Sequence, residues 1–319
     1  MQFIIFGPTF MASDKMFDDV KGMDNVIYDN MPIKSKLIYL FLRIHVNRLP
    51  FIPWKNIWRF NYKTIENVQD NCCFIYGNPW IKFMFETGYV AQLRKKYPFT
   101  SHIAYFSDID IAKAFDMNEL KSEFDQIYIF DRDIANQMGI NYFPLMVSQC
   151  TSMEEENKLY DIMFVGQSKG RLELVRNIFD YFNRNGLKGK CIITNFHKNI
   201  IDKQGEIQFI KTSLNIEESM KILRQSKCML ELKSDGNEAL SDRVSKAIVL
   251  NKKILTNNEN IKKHKYFNPL FVQIFSKVED IDLNFFKDSK VDYGYEGEYS
   301  PCYFLQILEE KIKNAKNLK

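Results

Sequence analysis

Gly166, Ser168, Lys169, Gly170 and Arg171 fall within six residues, between an apolar run and a helical pattern. That grouping can hold an anion. Glycines let the backbone approach a ligand closely, the first amides of a helix point outward, and the helix dipole favours negative charge at that end. A hydroxyl and two cations complete the set. The order Gly-x-x-x-x-Gly-Lys-Ser/Thr of a P-loop is absent, as is Gly-x-Gly-x-x-Gly. Tight strand-to-helix turns of similar composition also serve as plain connections, so the loop alone leaves both readings open.

The elements that would position this loop alternate along the chain. Apolar runs at 3–6, 72–76, 102–106 and 126–130 read as strands, closed by Gly7-Pro8, by Gly77-Asn78-Pro79, by Ser107-Asp108 and by Asp131. A helix is expected over 81–96, ahead of Pro98. After a polar stretch at 148–158 the alternation resumes. Strands are expected at 162–165, 191–194, 228–232 and 253–256, and helices at 172–185, 216–225, 241–249 and 303–317. Short apolar strands separated by helices imply parallel sheets covered on both faces. The expected fold is α/β, with two doubly wound Rossmann-like domains: 1–150, a linker at 151–158, and 159–319 including a terminal helix. Ligands of such sheets bind at the carboxyl ends of the strands, which makes a cleft between the domains the default site.

Composition narrows the class. The 319 residues are 45% hydrophobic and 26% charged, with a net charge of +4, as in ordinary soluble domains. The six cysteines form no Cys-x-x-Cys pair and sit mostly in apolar runs, so they read as buried thiols of a reducing compartment. Met1 to Phe6 lacks the basic start of a secretory signal, and no apolar run reaches membrane-spanning length. A cytoplasmic location is expected.

Four segments together resemble bacterial glycosyltransferases of the GT-B fold, the kind found in capsule and lipopolysaccharide gene clusters. They are residues 130–144, 160–171, 226–232 and 241–258, the last being the most specific. The resemblance covers roughly 126–258. It implies that the second domain holds a nucleotide-diphospho-sugar and the first an acceptor. Gly166, Ser168, Lys169 and Arg171 then match the donor-side loop that faces the diphosphate, and Arg243 matches the arginine that opens the late donor-side helix. Fixed cations and helix-end amides stabilise the departing diphosphate, so neither a metal nor a cofactor is expected. The family's Glu a few residues after the arginine is replaced here by Ser245 or Lys246. Glu238 and Glu231 are the candidates to bind sugar hydroxyls in its place. For a catalytic base of an inverting reaction, Asp108 and Asp110 follow a first-domain strand, with Asp131 and Asp133 at the next strand end. Each is equally an N-cap or turn residue. His102, His45 and His197 carry no stronger signal.

The segment from Lys34 to Tyr62 mixes Arg43, His45, Arg48 and Arg59 with Phe51, Trp54, Trp58 and Phe60. That mixture suits a lipid headgroup layer, and equally an amphipathic core helix followed by an aromatic loop. No nucleic-acid motif is present, and no nucleic-acid partner is expected. The resemblance and the loop together imply a hexosyltransferase-type enzyme. It would move a sugar from a nucleotide sugar to a saccharide or lipid-linked saccharide in surface polysaccharide synthesis, docked at the inner face of the membrane when the acceptor is lipid-linked. The alternatives are a polyol-phosphate or pyruvyl transferase on the same architecture, and a catalytically inactive partner that only binds a nucleotide sugar.

Overall fold

The computed structural model describes the chain apart from residues 9–14, 50–52, 149–156, 198–199, 202–206, 215, 234–239, 288 and 318–319. The chain divides into two compact units, Met1–Cys150 with Tyr299–Lys319, and Thr151–Glu298.

The first unit is a six-stranded sheet, with strands β1 (Gln2–Phe6), β2 (Val26–Asp29), β3 (Cys72–Gly77), β4 (Ser101–Phe106), β5 (Gln126–Ile129) and β6 (Asn141–Tyr142). Their spatial order is β2-β1-β3-β4-β5-β6, and every pairing is parallel. Side chains of a strand alternate between faces, and both faces are apolar here. Ile4, Phe6, Phe74 and Tyr76 enter one core, while Phe3, Ile5, Cys73 and Ile75 enter the other. Helices α1 (Lys36–Arg48), α2 (Trp80–Glu86), α3 (Tyr89–Lys96), α4 (Ile109–Lys113), α5 (Met117–Glu123) and α6 (Arg132–Met138) all contribute residues to the first core.

The second core is closed by Phe17 and Val20 and by Phe304, Leu305, Leu308 and Ile312 of the terminal helix Pro301–Asn317. The terminal helix, expected with the second domain, therefore packs on the first sheet. The reason is coverage: the apolar face carrying Phe3, Ile5 and Ile75 would otherwise be wet. Polar contacts fix the seating, with the Met1 amino group 3.2 Å from Glu309 and Lys311 Nζ donating to Tyr128 Oη at 3.0 Å.

The single helix expected over 81–96 is broken between α2 and α3. Gly88 has φ +69°, which a side chain disfavours, and the Thr87 hydroxyl donates to the Phe83 carbonyl at 2.8 Å.

The second unit is a seven-stranded sheet of β7 (Tyr160–Gly166), β8 (Gly189–Ile193), β9 (Ile200–Ile201), β10 (Ile207–Phe209), β11 (Ser226–Glu231), β12 (Lys253–Thr256) and β13 (Val272–Ile274). The order is β13-β12-β11-β7-β8-β10-β9, parallel except for β9 at the edge. Helix α7 (Leu172–Arg184) buries Val175, Ile178, Phe179 and Phe182 on one face, against Ile162, Phe164, Cys191 and Leu230. Helices α8 (Ile216–Arg224) and α9 (Asp242–Val249) both contact β11. Two doubly wound Rossmann-like units and a terminal helix are the parts of the expected plan. Cys72, Cys73, Cys191 and Cys228 are buried free thiols, and Cys150 lies outside the described residues, as does most of the 151–158 linker. Among the described residues no helix is long and apolar enough to cross a membrane.

Candidate functional site

The second sheet reverses its winding between β7 and β11. From β7 the chain passes through α7 to β8 on one side, while β11 lies against β7 on the other. Loops leaving the two strands diverge there, which opens the carboxyl edge at Gly166 and Glu231.

Four residues interlock at that edge. Glu231 is 1% exposed and accepts three hydrogen bonds: from the Ser241 amide at 3.2 Å, the Ser241 hydroxyl at 2.7 Å and Arg243 Nη1 at 3.2 Å. Ser241 caps α9, its Oγ accepting from the Arg243 amide at 3.2 Å. Arg243 Nε donates to the Val165 carbonyl at 3.2 Å, and the guanidinium lies 4.8 Å from the Phe164 ring centre. A buried carboxylate with a bonded counter-charge is a fixed device, because removing either partner leaves the other charge without compensation. Gly166 provides the room: a Cβ there would lie 2.1 Å from Arg243 Nη2. Among the described residues that Nη2 amino group makes no hydrogen bond. One edge of a planar, permanently charged fork is thus anchored and the other is available to an anion.

The 166–171 loop makes its own turn. Lys169 and Gly170 have φ of +43° and +84°, and the Arg171 amide donates back to the Ser168 carbonyl at 2.8 Å. Positive φ at both central positions is what a type I′ turn requires. Arg171 differs from expectation. Its guanidinium donates to the carbonyls of Ser168 at 3.0 Å, Gln167 at 3.1 Å and Leu232, so it staples the loop to the end of β11 and builds the site. The other expectations fit an anion better. Lys169 is exposed and makes no ion pair among the described residues, and the Ser168 hydroxyl makes no hydrogen bond there. Helix α7 has no side-chain cap, and the amides of Leu172, Glu173 and Leu174 have no acceptor among the described residues. A depression of about 380 Å³ runs beside the start of this helix, with Gly170, Arg171, Asn177, Lys233 and Asn257 in its wall. Sequence reasoning missed Ser241, Lys233, Asn177 and Asn257. Ser241 was legible as an N-cap before α9, and Asn257 as the residue following a strand.

The carboxylates expected at the sugar end are differently employed. Glu231 supports Arg243 and Ser241, and its burial removes it from a role on sugar hydroxyls. Glu238 lies outside the described residues. Of the two residues that stand where the resemblance expects an acid, Ser245 is buried and Lys246 pairs with Asp242 one turn earlier. In the first unit, Asp108 caps α4 through Oδ1, accepting from the Asp110 amide at 2.9 Å and the Ile111 amide at 3.3 Å. Its Oδ2 and the exposed Asp110 carboxylate make no hydrogen bond among the described residues. Asp131 caps α6.

His102 is a core residue. The Thr100 hydroxyl donates to the Tyr97 carbonyl and so accepts His102 Nε2–H, leaving Nδ1 to accept from Tyr76 Oη at 2.8 Å. Burial, helped by the Arg94 charge, pulls its pKa down to about 3.

No protein-family model matches the chain, and no curated protein matches it. Solved structures resemble it in architecture. The Gap123 glycosylation-associated protein complex of Streptococcus agalactiae is 8% identical with a TM-score of 0.42, over 78% of this chain and 54% of that one. The chain thus spans about half the length of that relative. An α-glucosyltransferase, in complex with UDP and a DNA 13-mer containing an HMU base, is 9% identical with a TM-score of 0.45, over 80% and 79%. The glycotransferase of kitacinnamycin is 9% identical with a TM-score of 0.41, over 83% and 79%. The fold assignment rests on the strand orders given above.

Proposed function

We propose that the protein is a glycosyltransferase that moves a sugar from a nucleotide-diphospho-sugar to a saccharide or lipid-linked saccharide of a surface polysaccharide. The observation that carries this is the Arg243 fork, held by Glu231 with Nη2 left to donate beside Gly166, the glycine that precedes the uncapped helix α7. In transfer, the bond from the anomeric carbon to the diphosphate oxygen breaks, and charge collects on the departing phosphate. Arg243, Lys169, the Ser168 hydroxyl and the α7 amides would stabilise that charge where it forms. The acceptor oxygen bonds to the anomeric carbon and loses its proton, for which Asp108 Oδ2 and Asp110 are the candidate bases. A lipid-linked acceptor brings segment 34–62 into the same reading, as a peripheral contact at the inner face of the membrane.

A thermal-shift panel of UDP-, GDP-, CDP- and dTDP-sugars tests the donor site. Stabilisation by one of them, weakened in Arg243→Lys and in Lys169→Ala, is expected. Absence of stabilisation by all of them overturns the reading. Ser245 or Lys246 in place of an acid favours a second reading, a binding partner without catalysis. Turnover of the stabilising sugar nucleotide, lost in Arg243→Lys, would exclude it.

A further inference from the structure

Helix α1 is apolar on two sides. Leu42 and Val46 are buried, and Tyr39 packs against Trp80 and Phe83 with ring centres 5.6 and 5.9 Å away. On the opposite side Leu37, Leu40 and Phe41 face outward, at the helical spacing of one stripe. The 3-10 turn Lys55–Asn61 lies against α1, joined to it by Trp58 Nε1 donating to His45 Nδ1 at 2.9 Å. It adds Ile57 and Phe60, and Trp54 precedes it. These six side chains range from 49% exposed at Leu40 to 72% at Trp54. Trp54 has φ +67°, a left-handed backbone uncommon for a bulky residue and maintained here with the indole in water.

The same surface is one-signed. From Asn30 to Ile65 the sequence contains no Asp or Glu and seven Lys or Arg residues. Lys55 is neutralised from outside, by Glu86, and Lys63 by Asp29. Lys36, Arg43, Arg48 and Arg59 make no ion pair among the described residues. A patch so composed has few suitable partners. A second copy meeting it face to face would set unpaired cations against unpaired cations. Single-stranded nucleic acid would pair its phosphates with the cations and could stack on Phe41, Trp54 and Phe60, but it would leave Leu37, Leu40 and Ile57, half of the patch, without a matching partner. An anionic lipid surface satisfies both features at once, since aliphatic and aromatic tips enter the headgroup boundary while cations stay at the phosphates.

The geometry points to a peripheral lipid-docking face formed by the outer side of α1 and the Trp54–Phe60 turn, with anionic headgroups as its partner. It rests on the reading above only for the purpose of docking, access to a lipid-linked acceptor. The contact itself needs no donor.

Sedimentation with vesicles, without any sugar nucleotide, tests it independently of the donor site. The protein is expected to pellet with phosphatidylcholine–phosphatidylglycerol vesicles and much less with phosphatidylcholine alone, with a blue shift of tryptophan emission. Phe41→Ser and Trp54→Ser should each lower the partition coefficient about tenfold. Arg43→Gln and Arg48→Gln should each lower it about fivefold on anionic vesicles only. Far-UV circular dichroism and melting of all four variants should match the parent, since the changed side chains are outward. No binding to anionic vesicles, or binding equal in all variants, overturns the inference. So does self-association or oligonucleotide binding that these variants abolish, found without vesicle binding.

Discussion

Gly166 and Arg243 occupy one another's space: a methyl group on residue 166 would sit 2.1 Å from Arg243 Nη2, closer than any real contact. The arginine is held by Val165, Ser241 and Glu231, so it cannot swing clear without losing bonds. Gly166→Ala is therefore expected to cost about 1–3 kcal/mol in denaturant unfolding. It should also weaken stabilisation by a sugar nucleotide more than Lys169→Ala does.

Removing the Arg243 charge strands a carboxylate whose side chain is 2% exposed. Arg243→Met should destabilise the second unit by about 3–5 kcal/mol, and adding Glu231→Leu should recover most of that. A double-mutant cycle in urea measures the coupling. Additive losses would show that the pair is not a unit.

Arg171 and Lys169 should separate cleanly. Arg171→Ala leaves the carbonyls of Gln167, Ser168 and Leu232 without their donor and should cost about 2–3 kcal/mol. Lys169→Ala, on an exposed side chain, should stay within about 0.5 kcal/mol in stability and act on donor affinity.

His102 sets a pH dependence. Its folded-state pKa of about 3 is below the ordinary value, so between about 6.5 and 3 the unfolded chain binds a proton that the folded chain does not. Stability should fall on acidification through that window, by about 1.4 kcal/mol per pH unit from this group. Thermal melts of the parent and His102→Asn at pH 7 and pH 5 check the sign: the parent should lose more on acidification.

The central strands were legible because strands buried on both faces are short apolar runs, as at Cys72–Gly77 and Tyr160–Gly166. The edge strands Val26–Asp29 and Asn141–Tyr142 were missed, being short and only partly buried. The anion loop was legible from Gly166 to Arg171, since a strand, a turn and a helix follow one another locally. The employment of Arg171 and Glu231 was not, because the bond that ties Arg171 to the end of β11 and those that engage Glu231 reach partners more than nine residues away, at Leu232, Ser241 and Arg243. Local spacing carries no record of such partners.

The terminal helix adds a constraint in time. Phe3 and Ile5 precede the second unit along the chain, yet Phe304, Leu305 and Leu308, which dry that side of their strand, emerge only after the entire second unit. The nascent first sheet must wait with one greasy face open while a whole Rossmann-like unit is made and folds. Chaperone demand, and vulnerability to premature stop codons, should accordingly concentrate on that uncovered face.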